Sequence, residues 1–311
     1  MTRIFTPRLT PREGLREITP RLLVEWPLPP AEAVSRPSNL RRTLVVAGSA
    51  LMPGAAILSA VSALRAGAGP LSIATGRSVA PTVALAVPEG RILGLRETPR
   101  GGLTRLPPGA ASWDFDTVLV GPGMQDDDTT ARLVQGVRAR YPRAPLQLAA
   151  GAIHAMENET VPWDRFAAGP VLITADAVEL AQLTGLSEAQ VLADGPRAAA
   201  KAARHWRVVV LLKSPVAHVA TPDGRVWTQL AAGAALALPG AADVLSGVVT
   251  GLIARGCTLE QAAVWGLALQ TRAFDVLAER LGPVGGLARE LADCVPGVMH
   301  TLASREARAS D

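Results

Sequence analysis

Residues 238–247 carry the side chain that is best placed for chemistry. Asp243 follows a turn of small residues and precedes an apolar stretch that predicts a helix to about residue 253. The first N–H groups of a helix have no partner within it, and they favour a bound anion. Asp243 could therefore accept a proton from a substrate hydroxyl while these N–H groups hold a phosphoryl group, as phosphoryl transfer to an alcohol requires. The alternative is a purely structural Asp243, because capping and the helix dipole favour Asp near a helix N-terminus.

The composition is that of a globular protein. The chain has 311 residues, 49% of them hydrophobic, which suffices for one large α/β domain or two small ones. The net charge of +4 comes mostly from scattered Arg, and only 4% of the residues are aromatic, so we expect no nucleic-acid partner. The two cysteines, Cys257 and Cys294, and the four histidines lack ligand spacing, which argues against a disulfide scaffold or a metal site.

The hydropathy pattern predicts neither a leader nor a membrane span. Residues 1–21 carry charge and proline throughout and lack an apolar core segment, so a cytoplasmic location is expected. Residues 43–64 and 226–254 are nearly uncharged and long enough to cross a bilayer. Both are interrupted by Gly and Pro, and the second contains Asp243. A strand, a turn and a helix explain each stretch better, and no membrane partner is expected.

The elements that must position Asp243 alternate between strands and helices. The polar composition of residues 91–113 predicts a long connecting loop. Strands are predicted at residues 43–47, 70–75, 82–87, 116–120, 146–149, 171–174 and 207–213, with a hairpin at 216–220 and 226–229. Helices are predicted at residues 55–65, 126–141, 176–183, 188–206, 259–280 and 287–302, in addition to the helix that Asp243 opens, and a helix-like linker contains Trp163.

This order predicts one α/β domain over residues 43–303, with a mainly parallel central sheet and helices on both faces. Residues 1–42, rich in Pro and Arg, are expected to form an arm with one short helix near residues 12–18. Residues 304–311 are expected to be a polar tail.

Several motifs, in this order and spacing, carry a resemblance to a known family. They are VVAGS at 45–49, MPGAAIL at 52–58, LRAGAG at 64–69, VGPGM at 120–124, DVLSG at 243–247 and GLIARG at 251–256. On these motifs, residues 30–303 resemble the ribokinase-like fold, a three-layer sandwich. Within that fold they resemble the ADP- or ATP-dependent NAD(P)H-hydrate dehydratases, the family named after its YjeF C-terminal domain.

The resemblance implies a repair reaction. ADP or ATP, with Mg²⁺, would phosphorylate the hydroxyl of a hydrated nicotinamide ring, and loss of phosphate would restore NADH or NADPH. Asp243 would be the base that activates the hydroxyl. The other implied site residues are Gly240, Ala241 and Ala242 for the anion, Lys213 and Ser214 for the nucleotide, and Ala56, Gly123, Asp176 and Glu179 for the substrate. A homo-oligomer is also compatible with the resemblance.

Several site motifs depart from the family pattern. Asp176 stands where the family has His, Ala242 and Ser214 each replace Gly, and Gln270 replaces a further His. Residues 148–153 lack two family carboxylates, and residues 229–235 lack the Asn-rich run of the nucleotide site. Losing one preorganised donor costs about 2 to 4 kcal/mol of barrier. Two alternatives to the dehydratase therefore stay open: a nucleotide-binding paralogue with a sensing or structural role, and a kinase for another small alcohol.

Overall fold

Ten strands form one sheet in the computed structural model, which describes residues 15–30, 41–107, 113–125, 127–157, 169–230 and 232–309. The strands are β1 Leu15–Glu17, β2 Thr43–Val46, β3 Leu71–Gly76, β4 Arg91–Leu95, β5 Thr117–Val120, β6 Leu146–Ala149, β7 Val171–Asp176, β8 Val209–Lys213, β9 Ala217–Ala220 and β10 Val226–Gln229. Their order is β1-β10-β9-β8-β7-β6-β5-β2-β3-β4. Strand β9 is antiparallel to both neighbours, and the other pairs are parallel.

Helices cover both faces of this sheet. They are α1 Pro20–Glu25, α2 Pro53–Arg65, α3 Ala80–Ala86, α4 Asp127–Arg140, α5 Ala177–Thr184, α6 Glu188–Ala193, α7 Gly195–Trp206, α8 Ala232–Ala237, α9 Ala241–Arg255, α10 Leu259–Leu281 and α11 Ala288–Ala309. Among the helices of the described residues, none combines the length and the apolar character that crossing a membrane requires.

The central strands show why the sheet has two covered faces. All four residues of β2 are buried, and they alternate between two apolar layers. Val45 packs with α2, whereas Leu44 and Val46 pack in the cluster that contains α4 residues such as Val134. A parallel sheet with helices on both faces needs continuous apolar strands of this kind. The predicted three-layer α/β sandwich with a mainly parallel sheet is therefore confirmed.

The region between β3 and β5 differs from the prediction. The strand predicted at residues 82–87 is wrong, because Ala80–Ala86 forms helix α3. A strand, β4, lies instead at Arg91–Leu95, within the stretch predicted as a long connecting loop. A short run of apolar residues does not distinguish strand from helix. Since β4 pairs in parallel with β3, the chain between them must cross over, and α3 makes this crossover.

The N-terminal segment also differs. Residues 15–17 of the short helix predicted near 12–18 form strand β1, which pairs with the end of the sheet at β10. An edge strand offers unpaired backbone groups that a passing segment can satisfy. The adjoining helix α1 starts at Pro20 after a Thr19 cap. The division of the chain into a lead-in and a domain at residue 42 stays a prediction.

Two smaller differences occur along the second half of the chain. The single helix predicted at 188–206 is split at Asp194 into α6 and α7, because Pro196 lies in the first turn of α7. Residues 150–157 form a 3-10 helix. Trp163, in the helix-like linker predicted to follow β6, lies outside the described residues.

Candidate functional site

The predicted site residues converge at the carboxyl edge of the sheet. Asp176 ends β7 and Lys213 ends β8, and the two residues lie opposite each other in the parallel ladder. The loop with Gly123 follows β5, and the loop with Gly48 follows β2, in the same edge of the sheet. The carboxyl ends of parallel strands are where open α/β sheets bind ligands.

Glu179 joins Asp176 and Lys213 into a charged cluster. The Glu179 carboxylate lies 3.5 Å from the Lys213 ammonium. It also accepts the backbone N–H of Asp176 at 2.7 Å, while the Asp176 carboxylate accepts the N–H of Glu179 at 2.8 Å. These reciprocal bonds form a capping box at the start of α5. Asp176 and Glu179 thus have a structural task, and their contact with substrate stays a prediction.

Asp243 lies in the first turn of α9 and is partly buried. Burial raises the pKa of Asp243 from 3.8 to about 6, and the positive charge of Lys213 opposes part of this rise. A carboxylate with a pKa close to the operating pH is effective as a general base. The side chain that the sequence singled out therefore has the electrostatic setting that the predicted role needs.

The predicted three-donor anion hole is only partly free. The N–H of Ala241 donates to the Leu238 carbonyl at 2.9 Å, within the turn that enters α9. The N–H groups of Gly240 and Ala242, in contrast, donate to no other residue of the described ranges. Gly240 has a φ of +84°, a conformation that favours glycine. Two backbone donors beside Asp243 remain for an anion, rather than three.

The position of α9 depends on two glycines that face α2. A Cβ on Gly247 would lie 2.2 Å from the Ser59 carbonyl oxygen, and one on Gly251 would lie 2.3 Å from the Ala63 carbonyl oxygen. The helices therefore pack backbone to backbone. The Ser59 hydroxyl also donates to the Asp243 carbonyl at 3.2 Å, which ties α2 to the first turn of α9.

A buried polar network under the site was missed by the sequence reasoning. Gln147, Thr174 and Thr250 are fully buried, on β6, β7 and α9. The Gln147 amide donates to the Thr174 hydroxyl at 3.1 Å and accepts from the Thr250 hydroxyl at 2.8 Å. The network links α9 to β6 and to β7, the strand that ends at Asp176. Its only signal in the sequence is a Gln within an otherwise apolar strand.

Gln270, which replaces a family His, also fixes the entry to α9. Its side chain is buried on α10, and its amide nitrogen donates to the carbonyls of Ala235 and Ala241 at 3.2 and 3.1 Å. One amide thus holds the end of α8 and the start of α9. The substituted residue therefore has a clear positioning contact for the backbone beside Asp243.

Three further predicted residues have little exposed polar surface. Ala56 is fully buried, so the structure offers no exposed Ala56 side chain for the predicted substrate contact. Gly123 is buried with a φ of +65°, and a Cβ there would lie 2.5 Å from the Cβ of Ala55. The Ser214 hydroxyl donates to the Val216 carbonyl in the turn between β8 and β9. The ligand contacts of these three residues remain predictions.

The donor set fits Mg²⁺ only if the nucleotide supplies most of its ligands. Mg²⁺ in such sites keeps several waters and binds one or two carboxylates together with phosphate oxygens. The described residues contain no group of three His, Cys, Asp or Glu side chains that could hold a metal. The carboxylates of Asp176 and Glu179 do lie at this edge. They could complete the coordination of a cation that is bound mainly by nucleotide phosphates, but they do not form a metal site by themselves.

The sheet order and the site at its carboxyl edge define a ribokinase-like α/β protein. A ribokinase-like superfamily protein from Enterococcus faecalis V583 superimposes with a TM-score of 0.75 at 22% identity, over 96% of this chain and 99% of that chain. The NAD(P)H-hydrate dehydratase family matches residues 43–296, and the chain belongs to this family of enzymes. The resemblance drawn from the sequence motifs is therefore confirmed.

Two relatives show how far the similarity extends. The ADP-dependent (S)-NAD(P)H-hydrate dehydratase of Xanthomonas campestris pv. campestris is 38% identical over 290 residues, which are 93% of this chain and 97% of that protein. The ADP/ATP-dependent NAD(P)H-hydrate dehydratase of Bacillus subtilis, co-crystallized with ATP/Mg²⁺, superimposes with a TM-score of 0.80 at 25% identity. That superposition covers 94% of this chain and 100% of that chain.

Proposed function

We propose that this protein uses ADP or ATP to dehydrate hydrated NADH and NADPH, with Asp243 as the general base. Membership of the dehydratase family supports the reaction. The observation that supports the assignment of Asp243 is its setting at the start of a helix. Its carboxylate has a pKa of about 6 and is influenced by Lys213, and two neighbouring backbone N–H groups donate to no other described residue. A purely structural Asp243 that only caps the helix would not need this raised pKa.

The chemistry divides into two steps. Asp243 takes the proton of the ring hydroxyl, whose oxygen forms a bond to the terminal phosphorus of the nucleotide, and the bond from that phosphorus to the shortened nucleotide breaks. The ring C–O bond then breaks, phosphate leaves with the electron pair, and the neighbouring ring carbon loses a proton to solvent, which restores the double bond. Phosphate is a much better leaving group than hydroxide, and the ring nitrogen assists its departure by releasing electrons.

The surrounding groups stabilise the charge that is transferred. The N–H groups of Gly240 and Ala242 would hold the equatorial oxygens of the phosphoryl group, and Lys213 would neutralise negative charge on the nucleotide phosphates. Bound Mg²⁺ would supply further charge neutralisation on those phosphates. Ala242 offers its N–H as a glycine would, so the substitution at this position keeps the donor.

The test is turnover by the purified protein. NADPH hydrate with ADP or ATP and Mg²⁺ should give NADPH, followed by its absorbance, and Asp243→Asn should lower kcat by about a thousandfold or more. The matched control is Asp223→Asn, in the turn between β9 and β10 at the opposite edge of the sheet, which should keep wild-type turnover. A folded wild-type protein without turnover would overturn the proposal.

Calorimetric titration separates the remaining candidates. Binding of ADP or ATP without turnover would favour the nucleotide-binding paralogue, and nucleotide consumption with another hydroxylated metabolite would favour a small-alcohol kinase. Chelation of Mg²⁺ should abolish turnover if the cation acts with the nucleotide.

A homo-oligomer and a cytoplasmic location also stay predictions. Gel filtration with light scattering tests the oligomeric state, and cell fractionation tests the location.

A further inference from the structure

A cavity lies on the same edge of the sheet as the Asp243 site. Its volume is about 310 Å³, and three arginines, Arg77, Arg96 and Arg105, line it together with Gly94. Arg77 directly follows β3, and Arg96 directly follows β4. The cavity therefore lies at the carboxyl ends of β3 and β4, where a parallel sheet binds ligands.

Backbone hydrogen bonds fix the three arginines next to each other. The N–H of Arg77 donates to the Leu95 carbonyl at 2.9 Å, which places Arg77 beside the end of β4. The chain then turns back on itself, and the N–H of Thr104 donates to the Arg96 carbonyl at 2.9 Å. This turn brings Arg105 beside Arg96. The clustering of the three positive charges is thus a property of the fold and not of flexible side chains alone.

The residues that line this cavity carry positive charge and no negative charge. None of the three arginines forms an ion pair with another residue in the described ranges. The nearby Glu97 carboxylate accepts the N–H and the hydroxyl of Ser78 at 2.9 Å each, and its single charge offsets at most one of the three positive charges. The remaining positive charges repel one another, so an anionic ligand would relieve a cost that the free protein carries.

The strand order places the arginine cavity near the pair of helices that carries the Asp243 site. Helix α9, with Asp243 in its first turn, packs on α2, and α2 follows β2. In the sheet, β4 lies two positions beyond β2. Neighbouring strands are about 4.8 Å apart, so the arginine cavity begins about 10 Å from the end of β2. A hydrated nicotinamide ring at Asp243 leaves the pyrophosphate and the adenosine half to extend along this edge. Guanidinium groups bind phosphate oxygens in a bidentate manner and are suited to this recognition.

We propose that Arg77, Arg96 and Arg105 form a subsite for a phosphate of the dinucleotide substrate, remote from the reacting ring. This inference rests on the proposed function, because it assigns the substrate's distal half. The phosphate is either the pyrophosphate, present in both NADH and NADPH hydrates, or the 2′-phosphate of NADPH hydrate. The subsite contributes to binding of the substrate and takes no part in the chemical steps.

The experiment compares the triple variant Arg77→Gln, Arg96→Gln, Arg105→Gln with the control Arg143→Gln. Arg143 is an exposed arginine in the loop that enters β6, at the opposite edge of the sheet. The triple variant should raise KM for NADPH hydrate by about tenfold or more, with kcat within about twofold of wild type, and the control should leave both unchanged. Circular dichroism and thermal unfolding establish that the variants are folded.

The two hydrates identify which phosphate is bound. A higher KM for NADPH hydrate alone assigns the 2′-phosphate, and a higher KM for both hydrates assigns the pyrophosphate. Unchanged KM values in the triple variant, while the wild type turns over, overturn this inference and leave the proposed function intact. Absence of wild-type turnover would instead end the proposed function. Titration calorimetry with NADPH and NADH then still tests the arginines, and equal affinities in variant and wild type overturn the subsite.

Discussion

The ammonium of Lys213 lies 3.5 Å from the carboxylate of Glu179, and the two side chains are only 10% and 18% exposed. Lys213 also lowers the pKa of Asp243, which burial raises. The Lys213 ammonium therefore interacts electrostatically with two carboxylates on different elements, Glu179 on α5 and Asp243 on α9. We therefore expect Glu179 to influence the protonation of the proposed base through Lys213.

Glu179→Gln should lower the pKa of Asp243. The substitution removes a negative charge from the cluster and leaves Lys213 to Asp243 alone, while the Gln amide oxygen can still accept the Asp176 N–H that Glu179 accepts in the capping box. The acidic limb of the kcat/KM profile should move down by about 0.5 to 1 pH unit. Glu188→Gln, at an exposed position in α6, is the control. An unchanged limb would show that Glu179 does not act on Asp243.

Asp243→Asn should stabilise the fold at neutral pH. The folded-state pKa of Asp243 is about 6, above its ordinary value of 3.8. The folded state therefore binds more protons than the unfolded state across this window, and the protein loses stability as pH rises through it. The variant, which lacks this titration, should gain up to about 3 kcal/mol near pH 7.5 and almost nothing near pH 3. Denaturant unfolding at both pH values measures the difference, and an equal effect at both would contradict it.

Gly247→Ala should strongly destabilise the protein, because the new methyl group would meet the Ser59 carbonyl at 2.2 Å and separate α9 from α2. We expect a loss of about 2 to 4 kcal/mol, measured by denaturant unfolding. Gly136→Ala in α4 is a matched control, since a Cβ there has no neighbour within 4 Å. That change should instead stabilise by up to about 1 kcal/mol through helix propensity. Equal effects at the two positions would contradict the close approach of α2 and α9.

The fold was largely predictable because most of its strands are continuous apolar runs in the sequence. Apolar runs such as those in residues 43–46 and 209–213 are buried on both faces and leave few alternatives. The exceptions were β4 and β1. Arg91 and Gly94 give β4 no such signal, and its assignment depends on pairing with β3, as that of β1 depends on pairing with β10. The prediction failed where tertiary pairing decided the element.

The site was predictable in part. Asp243 was found because a local feature, an acid at a helix start, carried the chemistry. The raised pKa of Asp243, in contrast, results from burial by segments distant in sequence, and the Gln147 network joins two strands with a helix more than a hundred residues away. The cluster of Arg96 and Arg105 depends on a turn that folds back. Apart from the Gln within an apolar strand, the sequence carries no local signal for these contacts.

His218→Gln should make the fold less sensitive to acid. His218 is buried on β9, with its Nδ1 3.0 Å from the Thr228 hydroxyl. Burial lowers its pKa from 6.5 to about 4, against the opposing charge of Asp194. Between these values the unfolded state binds a proton that the folded state does not, so stability falls by up to about 3 kcal/mol as pH drops from 6.5 to 4. The pH dependence of stability that His218 causes is opposite in sign to that of Asp243.

Each contribution is therefore measured as the free energy of unfolding of the variant minus that of the wild type. Denaturant unfolding between pH 6.5 and 4 should show a flatter pH dependence for His218→Gln, whereas the exposed control His205→Gln should follow the wild type. Parallel curves for all three proteins would contradict the assignment.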